Sequence, residues 1–544
     1  MGRFALILAA LIVFAAAPSQ ASPWRIVKDH WSAADEQGFE KFVTAIGETN
    51  CTSAESCLRT DANPYRNTDQ PYVDVKVDCA KWPYLLRTYY AWKNGLPFGY
   101  VNKIAGEGGD LRYTSTPNHV VSRHDIVDTG NGSNAPAEIK IMLAAVFTGT
   151  DRMDASDSRG LPSDTYSPAI QPRSIHPGTM LYDATGHVAV VYKVDADGRI
   201  YYMDAHPDFT ITHGVYGAHF GQEPMRLGGG FKNWRPLQLI GAHRDARGHL
   251  LGGHMVLAPN SQIPDYSLAQ YVGTGATPAD DPKKATFRYK GIKLGFYEYV
   301  RAAMSGGRMT YNPIYELKAT MQTLCGDFHD RAQAVDLAIH DGIVNKPHPD
   351  RLPNDIYGPD NQEWETYATA SRDSRLRATL AQFDNDMAQM IQMWIARDPR
   401  IVYDGTFLKQ DLDAAYKEES NACTVTYLSS DKKSISMSLD DMIHRMSRMS
   451  FDPYNCVELR WGAEGDELAA CGDGSEKRKW YEAEQPLRNE IAPTPSERTG
   501  VALAELRDEA KSAAQDSATP LDVKLLIENM GDQVPFQGMA AVGH

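Results

Sequence analysis

The sequence is short of the features that tie a chain to a membrane or to nucleic acid. Only one run, residues 4–17, is apolar throughout, and at about 14 residues it falls short of the roughly 20 that cross a bilayer as a helix. Lys and Arg number 55 against 70 Asp and Glu, a net charge of −15. A chain so poor in basic charge is not built for phosphate backbones, so nucleic acid and anionic lipid are not expected partners. No internal repeat and no low-complexity block occurs. No Lys-Ser or Lys-Thr follows Gly228-Gly229-Gly230, which therefore reads as a turn and not a phosphate loop. The histidines at 206, 213, 219, 243, 249 and 254 lack the i, i+4 spacing of a helical zinc motif, and no metal or cofactor is expected.

Cysteine is scarce and its number is odd. Seven stand at 51, 57, 79, 325, 423, 456 and 471. The start of the chain explains why parity matters. Arg3, the apolar run and Ser19-Gln20-Ala21 form a signal-peptide pattern over residues 1–21, which predicts export to a periplasmic or extracellular space. Thiols pair in such compartments, and an odd number leaves one over. Proximity suggests Cys51–Cys57 and Cys456–Cys471, with Cys325–Cys423 as a longer bridge. Cys79 is then free.

The rest of the chain divides into two characters. Residues 22–260 read as a domain of mixed helix and strand, with a polar insertion over 99–172 that contains one helix-like segment at 137–147. Within it, residues 71–77 alternate in period two and predict a strand running into a helix that begins at Cys79 and ends before Gly95 and Pro97. Three further strands follow, HPGTMLYD, GHVAVVYKV and RIYYMDAHP, the last two joined by an Asp-Gly turn at 195–198. Residues 231–240 predict one more strand, and 261–291 a linker. Apolar spacing of three and four then predicts a mainly helical region over 292–485, with Tyr297, Met321, Leu324, Leu337, Met387, Met390 and Trp394 in its core. Residues 486–544 predict a charged helical or disordered tail.

A thiol attacks a carbonyl as its thiolate, so a catalytic cysteine needs a helix N-terminus or a histidine to favour the anion. Cys79 has the first by position. Of 16 histidines, His187 has the setting of a base, at the mouth of the apolar strand 188–192. Asp204, on the partner strand, is the expected orienting group, with His206 as its substitute. His119 and His124 lack that strand setting. The backbone N–H of Cys79 is expected in an oxyanion hole, with Tyr72 as a second donor, and Tyr72 and Trp82 as substrate contacts.

The segments VDCAKWPYLLRTYYAWKNGLPF, PGTMLYDATGHVAVVYKV and IYYMDAHP resemble the NlpC-type cell-wall cysteine peptidases of the papain-like superfamily. In that family an Asp-Cys pair opens a helix, a His-Val-x-x-Tyr strand follows, and a polar third residue precedes Ala. The resemblance puts the nucleophile on Cys79, the base on His187 and the third residue on Asp204. Ala80-Lys81 replaces the family's Ser-Gly, Gly178-Thr179 replaces its Gly-Asp, and an aspartate third residue also resembles the transglutaminase-like branch. The resemblance implies a papain-like α+β domain, a helix followed by an antiparallel sheet, that cleaves amide bonds of peptidoglycan stem peptides. The transglutaminase-like alternative is protein cleavage or cross-linking, and the alternative from another class is a non-catalytic envelope scaffold.

Overall fold

The structure is a computed structural model describing residues 23–68, 75–156, 160–358, 361–491, 499–507 and 522–530. The expected signal peptide, Tyr72, most of the strand expected at 71–77 and most of the expected tail lie outside those residues. The chain is mixed α+β, with small antiparallel sheets in its first half and helices in its second.

Helix α1 (Ala33–Gly47) starts where Ser32 and Asp35 exchange side-chain and backbone hydrogen bonds in a capping box. It buries Phe39, Phe42, Val43 and Ile46. After the short α2 (Ala54–Arg59), closed by Cys51–Cys57, comes α3 (Lys81–Asn94), which ends on Gly95 at φ 62°. The segment expected to be a polar insertion holds β1 (Phe98–Ala105) paired with β2 (His119–Ile126), and α4 (Ala135–Ala145). The helix was legible there and the hairpin was not.

Six strands form the central sheet: β3 (Thr165–Tyr166), β4 (Met180–Asp183), β5 (His187–Val194), β6 (Ile200–Ala205), β7 (Ile211–Val215) and β8 (Gly230–Trp234). Their order is β3-β8-β4-β5-β6-β7, antiparallel throughout. β5 is apolar at every position from 188 to 191 because both faces are covered. Val188 and Val190 pack with Phe39, Phe42 and Leu86 of α1 and α3. Ala189 and Val191 pack on the other face with Phe287, Phe296 and Val300. The single strand expected at 231–240 is broken, since Pro236 has no N–H to continue the ladder. Leu237–Ile240 pairs instead with His254–Leu257.

The region expected to link two domains is packed onto the sheet. α5 (Ala269–Val272) buries Gln270 and Tyr271. The Gln270 side chain accepts from Phe231 N–H at 2.9 Å and donates to Phe231 O at 3.0 Å, taking the place of a neighbouring strand. Phe287 and α6 (Phe296–Met304) complete the second core. Beyond them, α7 (Pro313–His340), α9 (Ala370–Ile395) and α10 (Leu408–Ala422) pack around Leu317, Leu324, Phe328, Phe383, Met387 and Leu412, while Trp364 of α8 (Gln362–Tyr367) joins a separate cluster with Phe451, Tyr454 and Trp480. Leu337, expected in this core, is 37% exposed, and Tyr297 is half-buried at a cleft. α7 lies along edge strand β7, and Thr323 Oγ1 accepts the Val215 N–H at 3.3 Å. Covering the edge in this way removes a site for strand addition.

The three disulfides are those expected from proximity, and Cys79 is free. Such bridges suit an oxidising compartment, and no helix among the described residues is long and apolar enough to cross a membrane. Cys325–Cys423 ties α7 to the end of α10 across 98 residues. Because it closes the longest loop, C325S/C423S should lower unfolding stability by about 2–5 kcal/mol. Urea denaturation under non-reducing conditions measures this.

Candidate active site around Cys79 and His187

Asp78, with Cys79 after it, stands in the turn that leads into α3, which begins at Lys81 and not at Cys79 as expected. Its carbonyl accepts from Trp82 N–H at 3.1 Å and its Oδ1 from Lys81 N–H at 3.3 Å, while Oδ2 pairs with the Lys81 ammonium. Cys79 therefore precedes the helix by two residues, ahead of the cap residue Ala80. Its sulfur lies 3.8 Å from the Gly186 carbonyl oxygen, with the N–H groups of Val188 and Ala80 also facing it. Cys79 is thus seated against the main chain on both sides of His187.

The turn that holds those atoms is specified locally. Asp183 Oδ1 accepts from the N–H and hydroxyl of Thr185, and Gly186 N–H donates to Asp183 O at 2.9 Å. Gly186 has φ 99°, and a Cβ there would stand 2.6 Å from the Tyr113 ring. The loop bearing Tyr113 is anchored to the helical half by the Arg112–Glu365 ion pair. Tyr113, from the segment expected to be an insertion, thus stands beside Gly186.

His187 Nε2 is 2.6 Å from Asp204 Oδ2, so the two residues chosen from the sequence as base and orienting group are in contact. The other Asp204 oxygen accepts from the Thr212 hydroxyl at 2.6 Å. That hydroxyl has one hydrogen, so His206 Nε2, 2.8 Å from Thr212 Oγ1, must be the donor in their bond. His206 Nδ1 faces Asp330 Oδ1 of α7 at 3.2 Å, and Asp330 Oδ2 accepts from Arg372 of α9 at 2.8 Å. His206 is therefore a support behind Asp204 and not its substitute. Desolvation opposes ionisation of Asp204, but His206, His187 and Thr212 together hold its carboxyl well below the usual range.

Cys79 and His187 do not meet through their side chains. The His187 ring stacks near His206 and Phe220, and Phe220 belongs to the core on the helical side of the sheet. Cys79 packs with the core on the α3 side. Along a strand, alternate side chains take opposite faces, and His187 shares its face with Ala189 and Val191. No hydrogen bond joins the sulfur to the imidazole. Although the residue keeps some exposed surface, desolvation of its sulfur, reinforced by Asp78, pushes the thiol up to about 12. The resting group is a neutral thiol, not half of a thiolate–imidazolium pair.

Trp82, expected at the substrate, is fully buried in the core, and its indole N–H has no partner. His124 is bound to Glu138, and His119 is on the same outer strand β2. Sequence reasoning missed Thr212, Asp330 and Arg372, which no local spacing links to Asp204. It also missed a cleft of about 750 Å³ between the sheet and the helices. Asp183, Thr185, His219, Glu223, Gln382 and Arg375 line it. Burial and the neighbouring Asp183 push the Glu223 carboxyl up to about 8. The cleft therefore reaches the turn that carries His187.

A raised thiol pKa means that the reactive thiolate fraction grows with pH. Iodoacetamide should alkylate Cys79 at pH 8 at least about 100-fold more slowly than a free thiol, with a rate still rising at pH 10. D78N removes the nearest negative charge and should speed the reaction, and mass spectrometry of the labelled peptide reads both effects. Comparison with protein-family models, with curated proteins and with solved structures finds no match to this chain.

Proposed function

We propose that the chain is an exported papain-like cysteine hydrolase that cleaves amide bonds, with peptidoglycan stem peptides of a bacterial envelope as its substrate. The observation that carries this reading is the seat of Cys79. The one unpaired cysteine holds its sulfur against Gly186 and Val188, either side of a histidine already bound to a buried aspartate. With Nε2 engaged by Asp204, His187 keeps Nδ1 for proton transfer. The sulfur starts as a thiol and must leave the Gly186 carbonyl to reach that nitrogen. Substrate entering the cleft beside Thr185 supplies the occasion. His187 then takes the thiol proton as sulfur attacks the carbonyl, and it returns that proton to the leaving amine. Water resolves the acyl-enzyme. The Cys79 N–H, in the turn before α3, serves the oxyanion.

A second reading, a non-catalytic envelope scaffold, is favoured by one specific observation: sulfur and imidazole sit toward opposite faces of the sheet. Purified peptidoglycan fragments, incubated with the protein and analysed by mass spectrometry, separate the two. The hydrolase reading predicts cleavage that C79A abolishes and that D204N slows by about 10²–10⁴-fold. Cleavage by C79A removes this cysteine from the mechanism, and no cleavage of any fragment supports the scaffold.

A further inference from the structure

In the helical half, far in sequence from Cys79, three ligating side chains converge in the interior. His348 lies between α7 and α8, Asp452 follows Leu439–Arg445, and Glu484 ends Ser475–Ala483. The His348 side chain is 1% exposed, and Asp452 and Glu484 are 0% exposed. Their ligand atoms lie within 4.8 Å of one another.

Hydrogen-bond roles make this convergence unusual. His348 Nδ1 lies 2.6 Å from the Pro349 carbonyl, which can only accept, so Nδ1 carries the proton. Nε2 of the neutral ring then presents a lone pair. It stands 3.1 Å from Asp452 Oδ2, but the two make no hydrogen bond. Nε2, Asp452 Oδ2 and both Glu484 oxygens are buried without any hydrogen-bond partner. Acceptors facing acceptors in a dry interior need a cation or a proton between them.

We infer that His348 Nε2, Asp452 Oδ2 and the Glu484 carboxylate hold a zinc-class divalent metal ion. Ligands about 2.0 Å from a tetrahedral ion lie about 3.3 Å apart, close to the spacing of Nε2 and Oδ2. One imidazole with two carboxylates suits zinc better than magnesium or calcium, which prefer all-oxygen shells. The supporting contacts are also those of a metal site. The Nδ1–H bond to a carbonyl fixes the tautomer, and Asp452 Oδ1 accepts from Tyr454 N–H at 2.8 Å. Two guanidinium groups, Arg460 and Arg488, act on Glu484 through their charge, yet neither forms an ion pair with it, and Arg460 Nε and Nη1 and Arg488 Nε are buried without a hydrogen-bond partner. Arg460 donates to Tyr367 O, and Arg488 to Tyr481 O and Gln485 Oε1. Their charge makes this a weaker site than one built from thiolates. Pairing of Glu484 with either arginine is the metal-free alternative. Both Glu484 oxygens are unpartnered, so binding through the pair gives the ion four protein ligand atoms, and being closed to solvent it is a staple between three distant segments and not a second active centre.

The untagged full chain, purified without chelator, should carry one zinc per molecule by plasma mass spectrometry. EDTA should lower its melting temperature by several degrees, and Zn²⁺, but not Mg²⁺ or Ca²⁺, should restore it. H348N and E484Q should lose the metal and with it the response to EDTA, whereas C79A should keep both. A wild-type chain that takes up no zinc at tens of micromolar and melts identically with EDTA overturns the site in favour of the arginine pairing. Loss of the metal in C79A overturns it in favour of the thiol. The wild-type measurement decides even if the variants fail to fold.

Discussion

A buried carboxylate constrains this fold more tightly than any apolar contact. Asp204 is enclosed at the end of β6, where an isolated charge is costly, and it stays ionised because His187, His206 and Thr212 converge on it. His187 opens β5, Thr212 lies on β7 and His206 directly follows β6. Asp204 stands opposite Ala189 on one side and Thr212 on the other. A slip of one residue in either ladder would turn Asp204 away from its partners, so the pairing of β5, β6 and β7 is specified by charge as well as by hydrophobic burial.

The same carboxylate binds the two halves of the chain together. His206 leans on Asp330 of α7, which is held in turn by Arg372 of α9. Beside this chain of contacts, Arg199 and Arg301 share Glu316 at the start of α7, and Ala218 N–H donates to Gln382 of α9. The helical half is thus part of the site's support, and it closes the side of the sheet toward which His187 points. This is why a domain boundary drawn from composition at 261–291 does not correspond to a break in packing. Phe287 belongs to the sheet's second core, and the buried Gln270 and Tyr271 side chains bond to the main chain of Phe231 and Gly229.

What could be read from the sequence was what local patterns encode. Parity and spacing pointed to the disulfides, the apolar run after His187 to a strand, and the hairpin to Asp204 as its partner. The face on which His187 would lie was not legible. A strand covered on both sides is apolar at every position, so its alternation carries no sign of which face receives α3. Trp82 was misplaced for a related reason, since an indole in the first turn of a helix looks the same in sequence whether it meets substrate or core. His348, Asp452 and Glu484 come from separate segments with no motif to connect them.

Cys79 shows how one residue's structural role can oppose its neighbour's chemistry. Asp78 steadies the start of α3 because its carboxylate accepts from the first helix N–H, that of Lys81, and complements the partial positive charge there. The same negative charge disfavours a thiolate one residue later. A sulfur held by a carbonyl, next to a carboxylate, is stable as a thiol. Reactivity at such a centre cannot be stored in the resting protein. On the hydrolase reading proposed above it arises when a ligand displaces the Gly186 contact and excludes water, and that reading therefore needs the cleft beside Thr185 as much as the cysteine.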